Sequence, residues 1–296
     1  MNAFRHALLC VTVVSLAGTT AWAAGERVPP CESCAAWNES QAPFKLYGNS
    51  WYVGTHGLGS ILITSDQGHV LIDGALPESA QKIAASVRAL GFKVEDIKVI
   101  LNTHDHFDHA GGIAELQRLS GAKVLVSPPS AKVLQSGKSD PADPQFGSIE
   151  PAAKVAQVGT VKDGGTVTVG KLELVAHFTP GHTAGGTSWT WKSCEDKRCL
   201  SIVYADSLTP VSAPGFRFTG KTQLLEQFEK SYKTLDSLTC DILITPHPEI
   251  SNLWQRLEKR ESQGDRDALI NISACDMYVD ASRERLRKRL AQENAN

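Results

Sequence analysis

Between residues 50 and 72 the apolar positions fall in short β-type runs, Ser50 to Val53, Ser60 to Thr64 and His69 to Ile72, separated by Gly and Asp-Gln-Gly turns. That punctuation predicts a strand meander. The period then changes: Ile83, Ala84, Val87 and Leu90 are three to four residues apart, which predicts an amphipathic helix over 79–90 stopped by Gly91. Val94 to Leu101 leads into a buried strand. Further on, the pattern predicts a helix at 112–119, a strand at 123–126, a loop over 140–151 and strands at 166–169 and 172–178. A hairpin joins Thr187–Trp191 to Leu200–Tyr204, followed by a helix at 223–238, a strand at 241–245 and a long basic helix at 271–292. The segment up to Phe44 is rich in Pro, Ser and Ala without a period, and reads as an arm over 24–44 lying on one α/β domain that spans 24–296.

The first 23 residues have another purpose. Arg5 and His6 precede the uncharged apolar run Ala7 to Ala17, and Ala21-Trp22-Ala23 has the form of a cleavage site, so a signal peptide over 1–23 is expected, with export to the periplasm. The run is too short for a membrane anchor, which needs about 20 apolar residues. Cys10 leaves with it, so six of the seven cysteines remain: Cys31, Cys34, Cys194, Cys199, Cys240 and Cys275. An even set in an exported chain reads as disulfides. Cys194 and Cys199 flank the charged hairpin tip Glu195 to Arg198, and a bridge there leaves Cys240 and Cys275 to close a longer loop. Cys31-Glu32-Ser33-Cys34 admits three readings: a small disulfide loop, a redox pair or half a zinc site. The first agrees best with a motif near the mature terminus and without a second C-x-x-C.

Composition changes the picture chiefly by exclusion. Charged residues make up 21% and hydrophobic ones 42% of the 296, with a formal net charge of -2. These values argue against disorder and against a phosphate-backbone partner, which calls for a basic surface. The Lys/Arg-rich last helix reads as a solvated face.

Histidine is the residue placed unevenly. His104-Asp105-His106-Phe107-Asp108-His109 packs three imidazoles and two carboxylates into six positions just after an apolar strand, ahead of Gly111-Gly112. Such a group cannot be buried unpaired without heavy desolvation cost, and imidazole with carboxylate is the donor chemistry of catalytic zinc. His56, His69 and His177 lack a second ligand nearby and read as structural histidines. Trp37 and Phe44 on the arm read as packing residues or as a pocket rim.

His104-x-His106-x-Asp108-His109 resembles the signature of the metallo-β-lactamase superfamily, and His182 in Thr179-Pro180-Gly181-His182 and His247 in Thr245-Pro246-His247 match its later strand-end histidines. The resemblance covers essentially the whole mature chain and is nearest to subclass B3. It implies a four-layer αβ/βα sandwich of two packed mixed sheets with helices outside. It also implies two zinc ions per chain, the first held by His104, His106 and His182 and the second by Asp108, His109 and His247. The expected activity is hydrolysis of the β-lactam amide of penicillins, cephalosporins and carbapenems by a zinc-activated hydroxide that Asp108 orients, conferring antibiotic resistance. A small-molecule β-lactam is then the partner, and a monomer is expected. Ser207 and Thr209 would bond the substrate carboxylate, and the Cys240/Cys275 pair resembles a disulfide of subclass B3. Asp206 keeps an alternative open. Glyoxalase II-like hydrolases and lactonases share the first motif but use a bridging aspartate near this position, so Asp206 facing the metals would favour another exported dinuclear hydrolase.

Overall fold

The structure is a computed structural model that describes residues 31–295. The expected leader at 1–23 and the first residues of the arm lie outside the described residues. The arm is more ordered than its composition suggests, with a turn of helix α1 (Cys34–Trp37) leading to strand β1 (Phe44–Tyr47). Its backbone is fastened to the body, since Gly57 N–H and Thr55 Oγ1 both donate to Trp37 O at 3.1 and 2.7 Å. Gly57 is required there, because a Cβ would lie 2.5 Å from Trp37 Cα.

Strands β2 (Ser50–Tyr52), β3 (Ile61–Ile63) and β4 (His69–Ile72) form the expected meander. Helix α2 (Ala80–Ala89) then buries Ile83, Ala84 and Val87, and β5 (Ile97–Leu101) joins β4 in parallel. The strand starts three residues later than its apolar run because Val94–Asp96 makes a short 3₁₀ turn first. Next come α3 (Phe107–Ala110), α4 (Ile113–Ser120), β6 (Lys123–Val126), α5 (Pro128–Ser136) and β7 (Val158–Thr160). α5 was not expected from the sequence. Its Pro-Pro start looks like a breaker, yet proline suits the first turn of a helix, where its missing N–H costs nothing.

β8 (Thr166–Val169), β9 (Leu172–Phe178), β10 (Thr187–Glu195), β11 (Arg198–Tyr204) and β12 (Ile242–Ile244) make a second sheet. α6 (Thr222–Asp236), α7 (Leu253–Gln263) and α8 (Ala274–Ala295) complete the chain. α7 was also missed, since only Leu253 and Leu257 are buried along it and leave too few apolar positions to show a period.

Seven strands in the order β1 to β7 form one mixed sheet, and β12-β11-β10-β9-β8 form the other. One apolar cluster, including Tyr52, Ile72, Trp189, Ile202 and Ile244, fills the space between the sheets. A second packs α2, α4 and α5 on the outer face of the first sheet, and a third packs α6 and α8 on the second. This is the expected four-layer αβ/βα sandwich. Sulfurs are joined as Cys31–Cys34, Cys194–Cys199 and Cys240–Cys275, and Cys194 lies directly opposite Cys199 in the hairpin register. No described helix is long and apolar enough to cross a membrane.

Candidate metal centre

Three loops deliver the histidines, each just beyond the C-terminal end of a strand. The loop after β5 carries His104 and His106 and runs into α3 with Asp108 and His109; the loop after β9 carries His182, and that after β12 carries His247. The first loop is fixed from beneath by Asp73, whose wholly buried carboxylate accepts from Thr103 N at 2.7 Å, Thr103 Oγ1 at 2.8 Å and Asn102 Nδ2 at 2.8 Å. The sheets are tied together at the same level by Thr187 N–H donating to Thr103 O at 2.8 Å and Trp189 Nε1–H to Asn102 O at 3.0 Å.

The rings converge. His104 lies 4.9 Å from both His106 and His182 and 4.3 Å from His109, centroid to centroid, and His109 lies 4.8 Å from His247. Donor atoms of His104, His106 and His182 fall within 4.8 Å of one another, as do those of His104, Asp108 and His109. His247 closes the second group through Asp108, with its Nε2 3.4 Å from Asp108 Oδ2, while His109 Nε2 lies 3.1 Å from the same oxygen. All six residues expected from the sequence are therefore brought together. Asp105 turns the other way and accepts from Ser130 Oγ at 2.7 Å, anchoring α5.

Each histidine of the first group has one ring nitrogen held by the protein. His104 Nδ1 is 2.8 Å from Asp206 Oδ1, His106 Nε2 is 3.0 Å from Asp143 Oδ2, and His182 Nδ1 donates to Thr209 O at 2.7 Å. Such contacts fix the tautomer and, at His104 and His182, leave the other nitrogen's lone pair for a metal, while Gln145 Nε2 stands 3.4 Å from that of His106. Asp206 has no room to move. It is wholly buried, and a Cβ on Gly186 would come within 2.3 Å of its Oδ2. Asp206 thus sits behind His104, not among the clustered donors, and Ser207 beside it is 6% exposed.

Electrostatics follow burial. Burial, reinforced by the neighbouring His109, His182 and His106, pushes His104 well below its ordinary range, and burial with His106 brings His182 down to about 3. Both are therefore neutral, as a ligand must be. Burial would lower His106 too, but its bond to Asp143 outweighs it and raises the ring. Burial would raise Asp108, yet His109 and His247 hold it well below the carboxylate range.

Whether the residues suit a metal can be tested on the atoms left over. Of nine buried side-chain atoms without a hydrogen-bond partner among the described residues, His104 Nε2 and His109 Nδ1 are the two imidazole nitrogens. Buried polar atoms are nearly always satisfied, and two orphaned imidazole nitrogens inside a cluster of five rings and a carboxylate suit a metal such as zinc.

Two contributors were not anticipated. Asp143 and Gln145 come from the 140–151 loop, with Gln145 Nε2 3.4 Å from His106 Nδ1, and the loop is also bridged to His106 through the Pro151 backbone. Asp-Pro-Gln was visible in the sequence, but nothing local marks which loop reaches the site. The arm contributes as well, with the Trp37 ring 5.1 Å from His247. Phe44, by contrast, stacks on Tyr52 at 5.0 Å as a packing residue. His56 lies flat on Trp254 at 4.6 Å and His177 Nε2 meets Thr190 Oγ1 at 2.9 Å, both structural as expected.

A family model described as the metallo-β-lactamase superfamily matches residues 59–195. Among curated proteins, an uncharacterized protein YobT of Bacillus subtilis is 33% identical over 133 residues, covering 43% of this chain and 54% of its own. A hydroxyacylglutathione hydrolase of Rhodospirillum rubrum is 28% identical over 130 residues, covering 44% of this chain and 41% of its own. The chain thus spans about half the length of these curated relatives. Solved structures match more completely. Rm3 metallo-β-lactamase is 53% identical with a TM-score of 0.87, covering 90% of this chain and 100% of its own. MEM-A1, a subclass B3 metallo-β-lactamase isolated from a soil metagenome library, is 48% identical with a TM-score of 0.85, covering 88% and 99%. MIM-1 from Novosphingobium pentaromativorans is 42% identical with a TM-score of 0.82, covering 88% and 93%. With its donor set complete and its likeness to these enzymes running the length of the fold, the chain belongs to the metallo-β-lactamase superfamily as a hydrolase whose similar solved structures include subclass B3 enzymes.

Proposed function

We propose that the mature protein is a subclass B3 metallo-β-lactamase that opens the amide of penicillins, cephalosporins and carbapenems and so confers resistance to them. It would act as a periplasmic monomer after removal of residues 1–23. The observation that carries this reading over a glyoxalase II-like one is Asp206, whose carboxylate is engaged behind His104 at 2.8 Å instead of lying between the two donor groups. The full-length likeness to Rm3, against half-length likeness to hydroxyacylglutathione hydrolases, points the same way.

His104, His106 and His182 would hold one zinc, and Asp108, His109 and His247 a second. Bound there, zinc supplies Lewis acidity toward a carbonyl and brings water toward neutral pKa, so no serine or cysteine nucleophile is needed. The chain's own residues do the rest. Asp206, Asp143 and the Thr209 carbonyl keep three rings aimed inward. Asp108 offers a carboxylate that would accept from an attacking water and so orient it. Ser207 and Thr209 offer hydroxyls for the substrate carboxylate. Trp37 packs against His247 at one side of the cluster.

The test is turnover of a chromogenic cephalosporin by the zinc-supplied mature protein, with loss of activity on chelation and none with a serine-directed inhibitor. Turnover of a thioester or a homoserine lactone with no cephalosporin opening would instead establish the second reading, another exported dinuclear hydrolase of this fold.

A further inference from the structure

The basic last helix, α8, is not the simple solvated face its sequence suggests. It grips one segment of the site at both ends. At its first turns, Tyr278 Oη donates to Asp206 O at 2.7 Å and accepts from Leu208 N at 3.0 Å, fixing the turn that carries Ser207. At its last turn, Glu293 is 7% exposed and its carboxylate accepts from Phe218 N at 3.1 Å, Thr219 N at 2.8 Å and Thr219 Oγ1 at 2.8 Å. Arg289 donates to Glu293 at 2.7 Å, to Ser212 Oγ at 2.8 Å and to Phe216 O at 3.0 Å, and its guanidinium lies 5.4 Å from the centre of the buried Phe218 ring. Arg217 in turn donates to Glu293 O.

The clamped segment borders the metal centre. Thr209 O accepts from His182, Val211 is 49% exposed, and Ala213 N–H donates to Pro144 O at 2.8 Å. Pro144 follows Asp143, which holds His106. Hydrogen bonds and short stretches of backbone therefore connect the last turn of α8 through both loops to two imidazoles of the donor set. A carboxylate that takes three hydrogen bonds and an arginine in a poorly hydrated place is expensive to hold for a mere helix end, and surface ion pairs alone contribute little.

We propose that Arg289 and Glu293 are positioning residues for the substrate-facing rim, so that the last helical turn sets the Thr209–Thr219 segment and with it how tightly substrate is held. This rests on the β-lactamase reading for the identity of the substrate, not for the strut itself. Arg is suited to the task because its planar fork spreads five donors over three nitrogens in a fixed geometry and so reaches acceptors on separate sides, where lysine's donors all radiate from one nitrogen.

The experiment compares zinc-loaded wild type with Arg289→Ala, Glu293→Ala, the gentler Glu293→Gln, and Arg283→Ala as a control on the same helix. Arg283 pairs with Asp236 at 2.9 Å and does not touch the rim. Expected are unchanged zinc content, kcat within about twofold, and KM for a bulky cephalosporin raised on the order of tenfold, the size of one charged hydrogen bond. Hydrogen exchange at Phe218, Thr219 and the 209–213 segment should speed up together. Glu293→Gln should give the same pattern more weakly, and Arg283→Ala neither effect. Faster exchange at Phe218 and Thr219 with KM unchanged would overturn the proposal by making the clamp purely structural, as would unaltered exchange at 209–213. If wild type opens no cephalosporin, the functional reading fails, and the exchange arm still decides whether the strut holds the rim.

Discussion

The two halves of the donor set are built to different standards. In the first, His104, His106 and His182 are at most 7% exposed, and each has its second nitrogen held by Asp206, Asp143 or the Thr209 carbonyl. In the second, the His247 side chain is 28% exposed and leans on the Trp37 ring. The protein holds every ring of the first group from behind, whereas in the second His109 rests on Asp108 and His247 depends on the arm. Pre-arrangement matters because a donor fixed in the right tautomer gives up less on binding a metal.

The sharpest way to break that contrast is to delete one ligand from each group. His182→Ala should remove metal from the first group and lower kcat/KM by more than the roughly 10–100-fold that losing an outer hydrogen-bond partner costs. His247→Ala should retain one zinc equivalent and fall less. Zinc content by atomic absorption beside steady-state kinetics reads both, and a greater metal loss in His247→Ala would reverse the comparison. Stepwise chelation of wild type should accordingly release one equivalent well before the other, with thermal stability falling mainly at the second release.

Next in size are the outer partners. Asp206→Ala and Asp143→Ala should each weaken metal binding at the first group by about 10–100-fold, measured by competition with a chromogenic chelator. Asp206 should cost more, since it is wholly buried and its loss strands His104 Nδ1. Asp143→Asn keeps an acceptor and should recover most of the affinity. Trp37→Ala should act only on the second group, raising the rate of loss of the weaker zinc severalfold. Equal effects of Trp37→Ala and Asp206→Ala on both equivalents would erase the asymmetry.

How much of this could be read from the chain differs between the same two levels. The candidate donors themselves are legible. Four fall in one strand-to-helix loop, His104 to His109, where contiguity makes the chemistry visible, and His182 and His247 follow apolar runs that end at the same edge of the sandwich. Their supports were not. Asp143 reaches His106 across 37 residues from a loop without a period, and only its bond to His104 and its packing against Gly186 place Asp206 behind the candidate donors. The α8 clamp hides for another reason. Cys275, Tyr278, Val279, Ser282 and Leu286 share one buried face, and the same three-to-four spacing runs on to Glu293, but a face interrupted by Ser282 and ending in Glu293 does not look apolar. Long-range polar contacts leave no periodicity to read.

The smallest expected effect concerns that clamp, on the first group's side of the site. Burial would raise Glu293, but its bonds from Arg289, Thr219 and Phe218 prevail and hold it down to about 2, against an ordinary 4.5. A carboxyl lowered on folding adds stability that is fully present above its unfolded pKa and is lost as pH falls through the folded one. The clamp should therefore hold unchanged above about pH 5 and weaken between about 4.5 and 2. Protonation of the buried histidines also destabilises the protein in acid, so wild type alone cannot isolate the effect. The difference in melting temperature between wild type and Glu293→Gln cancels that shared contribution. It should be constant from pH 7 to 5 and shrink below 4.5. A difference that stays constant down to pH 2 would mean that the carboxylate's charge contributes nothing, and that the rim is held by hydrogen-bond geometry alone.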